Sequence, residues 1–493
     1  MTTSDSKTAA FRRTAKFRQY MAAFIANLSA FSIGTMLGWT SPMQPLLSSA
    51  HPPIGSEPLS AEFISWLGSI NFIGALCGTL FWGILSDRLG RKHTAIIVAV
   101  PFIIAWLLKI VAQNGWWLLV ARIIIGIGCS GVIINTPIYV AEMAEDKIRG
   151  SLGSYLMIFL NAGCVFSYII GSLTSYHGLA AICLCVPIIF LVTFPNLPES
   201  PVYLWTHGKK TEAENSLLWF RGGNTLQTMK EIENLQQKTG KAFEKPCFRD
   251  LFDSKGVKKA LFIGISFVVG QQFCGILAIL TYTVKIFQDS GSSLSAHNSM
   301  IIVGILQLSS AFTSSLLVDR AGRRVLLIMS YFAMAVSLTV LGCYLYFQDD
   351  SWNPLLKWIP ITCLSVNVVF YSIGVGPVPF VVISEIFPPN IRGFAMSKIQ
   401  MLGTTLSFAS VKTFPTLTNL LGSHGCFLFY ASFCLILTLF TFLYVPETKG
   451  KSLQAILKQL NGEELTKAEE SEYTELYGTQ QSTIVKKQNA ATA

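Results

Sequence analysis

Apolar runs long enough to cross a bilayer recur along nearly the whole chain, and this repetition limits the available folds more than any single motif. About 20 apolar residues suffice for a spanning helix, and here such runs follow one another from Gln19 to Val445. In hydrocarbon every backbone polar group must bond internally, which leaves helices or a closed barrel. The short alternating strands of a barrel are not evident. Of 493 residues, 51% are hydrophobic and 13% charged, about half the charge of a soluble protein. The chain therefore reads as an all-α polytopic membrane protein. Twelve transmembrane helices are expected near 19–47, 62–85, 94–112, 117–141, 151–173, 179–197, 258–287, 297–318, 325–347, 355–384, 393–418 and 424–445.

The expected organisation is a basic cytoplasmic tail (1–18), a six-helix bundle (19–198), a cytoplasmic helical linker (199–257), a second six-helix bundle (258–448) and a polar cytoplasmic tail (449–493). Pro42 and Pro45 are expected to interrupt the first span. In the linker, Thr211 with Glu214 fits a capping box that opens a helix. No cleavage site follows the basic start, so no removable signal peptide is read. All but five of the 37 Lys and Arg residues fall in or beside segments on one side of this topology; the five are Lys109, Arg122, Lys285, Lys357 and Lys412. The positive-inside rule makes that side cytoplasmic. Eleven cysteines and six histidines show no metal-ligand spacing or disulfide framework. Neither a metal nor any other cofactor is expected, and the net charge of +10 reflects topology rather than nucleic-acid binding.

Three motifs recur in the same order. Asp87-Arg88-Leu89-Gly90-Arg91-Lys92 returns 232 residues later as Asp319-Arg320-Ala321-Gly322-Arg323-Arg324. Glu142 precedes Arg149-Gly150 as Glu385 precedes Arg392-Gly393, and Pro198-Glu199-Ser200 returns as Pro446-Glu447-Thr448. Nearly equal offsets imply two similar six-span halves, an arrangement that places a site between halves near the midplane.

The stretch 261–287 carries two adjacent amides, Gln271 and Gln272, in mid-span. Helical spacing puts Gln271, Gly275, Ala278 and Tyr282 on one face. Such a face could line a pathway for a neutral, hydroxyl-rich solute, or its amides could join neighbouring helices.

DRLGRK (87–92), PIYVAE (137–142), PESP (198–201), QQFCG (271–275), GVGPVP (374–379) and PETKGKSL (446–453) together resemble the sugar porters of the major facilitator superfamily. TSP (40–42), SEIFPPNIRG (384–393) and KTF (412–414) resemble the facilitated trehalose transporter branch. The resemblance implies two six-helix bundles that work by alternating access. It implies that Glu142, Glu199, Glu385 and Glu447 pair with arginines of the motifs Asp87, Arg88, Arg91, Arg149, Asp319, Arg320, Arg323 and Arg392. Those pairs would latch the inner ends of the bundles. It implies sugar binding at Gln271 and Gln272, with Gln307 and Phe380 standing where asparagine and tryptophan are usual. Met157, Leu277, Thr281, Gly403 and Thr404 depart from the family's polar or aromatic pocket residues, and Asn161 and Asn367 could replace some of the lost bonds. Arg122 matches a family arginine and is expected in a structural or gating ion pair. Gly374, Gly376, Pro377 and Pro379 weaken the tenth span and mark a candidate hinge.

No Asp or Glu lies between Asp5 and Glu57, so the first span lacks the titratable group that proton coupling needs. Facilitated diffusion of a hexose or trehalose across the plasma membrane, by a monomer in the lipid bilayer, is the leading expectation. A carrier of the same fold for a less polar solute and a non-transporting sugar sensor are the alternatives. No nucleophile–base pair or phosphate loop suggests an enzyme.

Overall fold

The computed structural model describes residues 3–239, 248–252, 254–291, 294–348, 355–449, 451 and 453–461, and every regular element among them is helical. Ten helices are long and apolar enough to cross a membrane: Phe11–Leu47, Ala61–Leu89, Arg91–Ile110, Gly115–Met143, Asp146–Leu173, Tyr176–Asn196, Lys255–Thr281, Arg323–Tyr346, Leu356–Ile386 and Ile391–Tyr444. The last is two crossings, because the backbone turns over at Gly422, whose φ of 71° is non-helical. The 26-residue helix Ala296–Ala321 adds another; at 1.5 Å per residue it is about 39 Å long. These make the twelve spans, numbered below in chain order.

The first span packs on the fourth, fifth and sixth, and the second and third pack on the fourth. In the second half, the ninth packs on the tenth and on the long helix that forms the eleventh and twelfth, while the seventh packs on that same helix. Contacts between halves join the first span to the seventh, the second to the eleventh–twelfth helix and the fifth to the eighth. The loops that carry the repeated motifs lie together at one end of the bundles, called here the basic end.

Several local expectations are corrected. The first helix starts at Thr3 rather than Gln19 and runs unbroken through Pro42 and Pro45 to Leu47. Its extension is held by the linker: Arg18 Nη1 donates to Trp219 O (3.0 Å), and its guanidinium lies 5.1 Å from the Trp219 ring. Gln19 is fully buried; it donates to Phe220 O (3.1 Å) and Glu145 Oε1 (3.1 Å) and accepts from Glu145 N (2.9 Å). The capping box does not form. The linker helix Lys210–Phe220 takes Lys209 as its N-cap, without a side-chain cap, and Lys209 pairs with Glu212 at 3.5 Å instead. The seventh span is broken at Gly275, where φ is +78°. An added Cβ there would lie within 3.0 Å of the Tyr430 ring, so both conformation and contact call for glycine.

Replacing Gln19 with leucine orphans the carbonyl of Phe220 and the amide of Glu145. The variant is expected to lose about 1–3 kcal/mol of unfolding free energy, measured by thermal or denaturant unfolding of the purified protein; an unchanged transition contradicts this docking.

Candidate functional site

At the basic end the third and ninth spans start in the same way. Gly90 and Gly322 have φ of 95° and 90°, and each is followed by an arginine that opens the helix. A carboxylate from the end of the same half then receives the first free amides. Glu199 accepts from Arg91 N (3.1 Å), Lys92 N (3.0 Å) and Ser200 N (2.7 Å). Glu447 accepts from Arg323 N (3.0 Å) and Arg324 N (3.1 Å). A negative charge on helix N-terminal amides satisfies donors that the helix itself leaves open. Burial pushes the Glu199 carboxyl above its ordinary pKa, opposed by these amide bonds and by His93.

The arginines reach onward. Arg91 Nε and Nη2 grip both Glu142 oxygens at 3.1 Å, while Nη1 donates to Asp87 Oδ1 at 3.0 Å. Ser200 Oγ donates to the same Glu142 carboxylate. Arg323 Nη2 meets Glu385 Oε1 at 3.2 Å. Among the described residues these contacts join groups of the same half, so they brace a half rather than latch two halves together. The third-span N-terminus fixes Arg91 beside Glu142, and the ninth does the same for Arg323. Arg149 is exposed and pairs locally with Asp146 (2.7 Å), Arg392 Nε donates to Phe387 O (3.3 Å), and Arg88 is exposed. The side chains of Asp319 and Arg320 lie outside the described residues.

At mid-depth, two broken helices face each other. The seventh span ends its first helix at Phe273 and resumes at Ile276; the tenth passes from Ile359–Phe370 through a widened turn, Tyr371–Val375, to Val378–Ile386. Gly376, Pro377 and Pro379 sit at that second break. Gln271 Nε2 bridges the two spans, donating to Val375 O (3.2 Å), Gly376 O (3.3 Å) and Tyr371 Oη (3.3 Å). Gln272 Oε1 accepts from Ser407 Oγ (2.9 Å), and its backbone carbonyl accepts from Ser410 Oγ (3.1 Å). Its amide nitrogen has no protein partner among the described residues and is not sealed from surface. Asn161 and Gln307, each 7% exposed, are likewise unbonded and unsealed. These are donors and acceptors left for something other than protein.

Other expected site residues fall elsewhere. Tyr282 follows the Gly275 break, so the predicted common face with Gln271 is lost. Its ring stacks on Phe414 at 5.0 Å. Asn367 is fully buried with both amide atoms unbonded, so it faces no open path. Phe380 is half-buried. Among the described residues Arg122 makes no ion pair: it donates to Leu67 O (2.9 Å) of the second span and to Met36 O (3.2 Å) and Thr40 Oγ1 of the first, which carries no carboxylate near them.

Two cross-half contacts were not anticipated. Ser41 Oγ accepts from Val284 N (3.1 Å) and Lys412 Nζ donates to Ser65 Oγ (2.7 Å). Lys412 also lies 4.3 Å from the Trp66 ring, itself 5.9 Å from Phe408. Cys164, Tyr168, Val284 and Met300 form a buried cluster across the same seam. All of these lie at the end opposite the basic end and hold the halves together there. A lone lysine within an apolar span was the available signal for Lys412.

Twelve crossings in two repeated halves, with two helix breaks and uncommitted amides on three spans, define a multi-pass membrane carrier. The family described as "Sugar (and other) transporter" matches residues 19–460, and the chain belongs to it. It is similar to a facilitated trehalose transporter of Polypedilum vanderplanki, 33% identical over 90% of this chain and 88% of that protein. The corresponding transporter of Drosophila yakuba is also 33% identical over 90% of this chain, which spans 52% of that longer protein. The inward-open xylose transporter XylE from E. coli shares the fold, with a TM-score of 0.74, 24% identity, and coverage of 90% of this chain and 99% of that one.

Gly90→Ala and Gly322→Ala place a Cβ against Glu199 and Glu447 at positive φ. Each is expected to cost roughly 1–2 kcal/mol, whereas Gly150→Ala, with open space around it, should stay within about 0.5 kcal/mol of the parent. Unfolding midpoints of the three variants check this; equal midpoints contradict the shared capping role.

Proposed function

We propose that the chain carries a hexose or trehalose down its gradient across the plasma membrane by alternating access, as a monomer. The basic end and both termini face the cytoplasm in this reading. The observation that carries it is the set of unspent amide atoms on Gln272, beside the break of the seventh span, and on Asn161 and Gln307 of the fifth and eighth spans, which pack on each other across the halves. Neutral donors and acceptors suit sugar hydroxyls, and a buried site with unpaired polar groups penalises a solute that lacks them.

Downhill transport is supported by the first span, which has no carboxylate, and by Arg122, whose donors are spent on carbonyls and Thr40. In this reading the contacts between Ser41 and Val284 and between Lys412 and Ser65 belong to a state closed on the outer side. Rocking of the braced halves would part them and close the basic end, with the breaks at Gly275 and Gly376 as flexible points. Relatives that are named facilitated trehalose transporters favour this over a sensor or a carrier for apolar solutes.

Purified protein in liposomes without an ion gradient is expected to show saturable uptake of labelled trehalose or glucose. Gln272→Leu should raise KM about five-fold, the equivalent of one hydrogen bond of about 1 kcal/mol. Uptake that requires an inward proton gradient, or a KM unchanged in the variant, contradicts the proposal.

A further inference from the structure

The first bundle contains a buried lysine that neither the transport reading nor the ion-pair clusters use. Lys109, near the end of the third span, is fully buried, and its Nζ has no hydrogen-bond acceptor. The ammonium lies 4.0 Å from the ring centre of Trp39 on the first span and 3.9 Å from that of Trp106 on its own helix. Both indoles are fully buried, and both Nε1 donors lack an acceptor. Tyr176 holds the assembly in place, donating to Lys109 O (2.9 Å) with its ring 6.1 Å from Trp39.

Arg122 also lies over Trp39, its guanidinium 5.5 Å from the ring, and is almost fully buried. The groups that act electrostatically on Lys109 are Arg122 and the thiols of Cys183 and Cys129, with no carboxylate among them. Two basic side chains are thus enclosed together, and no carboxylate acts on Lys109. Burying unpaired charge costs far more than ring contacts return. The unsatisfied atoms around the ammonium share one character: Lys109 Nζ, Trp39 Nε1 and Trp106 Nε1 are all donors, so what the site calls for is an acceptor with negative charge.

We propose that Lys109, with Trp39 and Trp106, forms a binding site for a small monovalent anion of the halide class, which neutralises the Lys109–Arg122 pair. A flat oxyanion fits less well. The guanidinium fork that would grip it is spent on Leu67, Met36 and Thr40. The site lies within the first half, on spans that pack around Trp39, so its occupancy stabilises that bundle.

The test uses the full chain, purified and placed in lipid nanodiscs, with sodium chloride or bromide exchanged for sodium gluconate at constant ionic strength. The expected result is a saturable rise of several degrees in the unfolding midpoint with chloride and bromide. Lys109→Met should abolish that response, and Lys285→Met, at an exposed lysine, should keep it. If Lys109→Met does not fold, the anion titration of the parent protein decides alone. Equal midpoints in chloride, bromide and gluconate across pH 6 to 8 would overturn the proposal and leave Lys109 as a neutral amine. A halide response retained by Lys109→Met would overturn it as well.

Discussion

A helix that breaks inside hydrocarbon leaves amides and carbonyls beyond the reach of lipid-side partners, and this architecture depends on how two such breaks answer each other. The seventh span opens at Gly275 and the tenth at Tyr371–Gly376. Gln271 sits just before the first break and gives its amide nitrogen to the carbonyls freed by the second. One glutamine therefore serves as the glue between helices, while its neighbour Gln272 keeps its nitrogen unspent. The division follows from helix geometry, since adjacent residues point about 100° apart. The two readings of the glutamine pair, structural joint and substrate contact, thus fall on different residues.

The basic end shows the same economy twice. Glycine at positive φ lets a carboxylate lie against a helix start, and the arginine that follows reaches a second carboxylate on another span. Because the partners named above belong to one half each, each bundle is braced as a unit. The contacts between halves are of another kind: two hydrogen bonds, ring contacts and apolar packing, with no ion pair between halves among the described residues. Strong bonds within halves and lighter contacts between them suit a molecule whose halves move as bodies.

The repeat, the number of spans and the place of the tenth-span break were legible in the sequence, because apolar length, motif order and clustered Gly and Pro are local signals. The break at Gly275 was not, since one glycine in an apolar run does not distinguish tolerated helix from a stop; only Tyr430 packed against it shows the need. The helix over residues 3–18 was hidden for a similar reason: its stability comes from Gln19 and Arg18 meeting a linker 200 residues away. Arg122 looked like an ion-pair residue because charge suggests charge, yet carbonyls and Thr40 satisfy it. Lys109 and Lys412 stood out as lone cations, but their aromatic partners follow from packing that no spacing reveals.

Side-specific labelling of a cysteine placed at Gln307 tests the central claim, that uncommitted amides line a wet seam between the halves. In a background without reactive cysteines, a membrane-impermeant thiol reagent added from the basic side should modify it, and trehalose or glucose should slow the reaction. No modification from either side, in a protein that still folds, would mean that the amides are sealed within the helices and that no pathway runs between the halves.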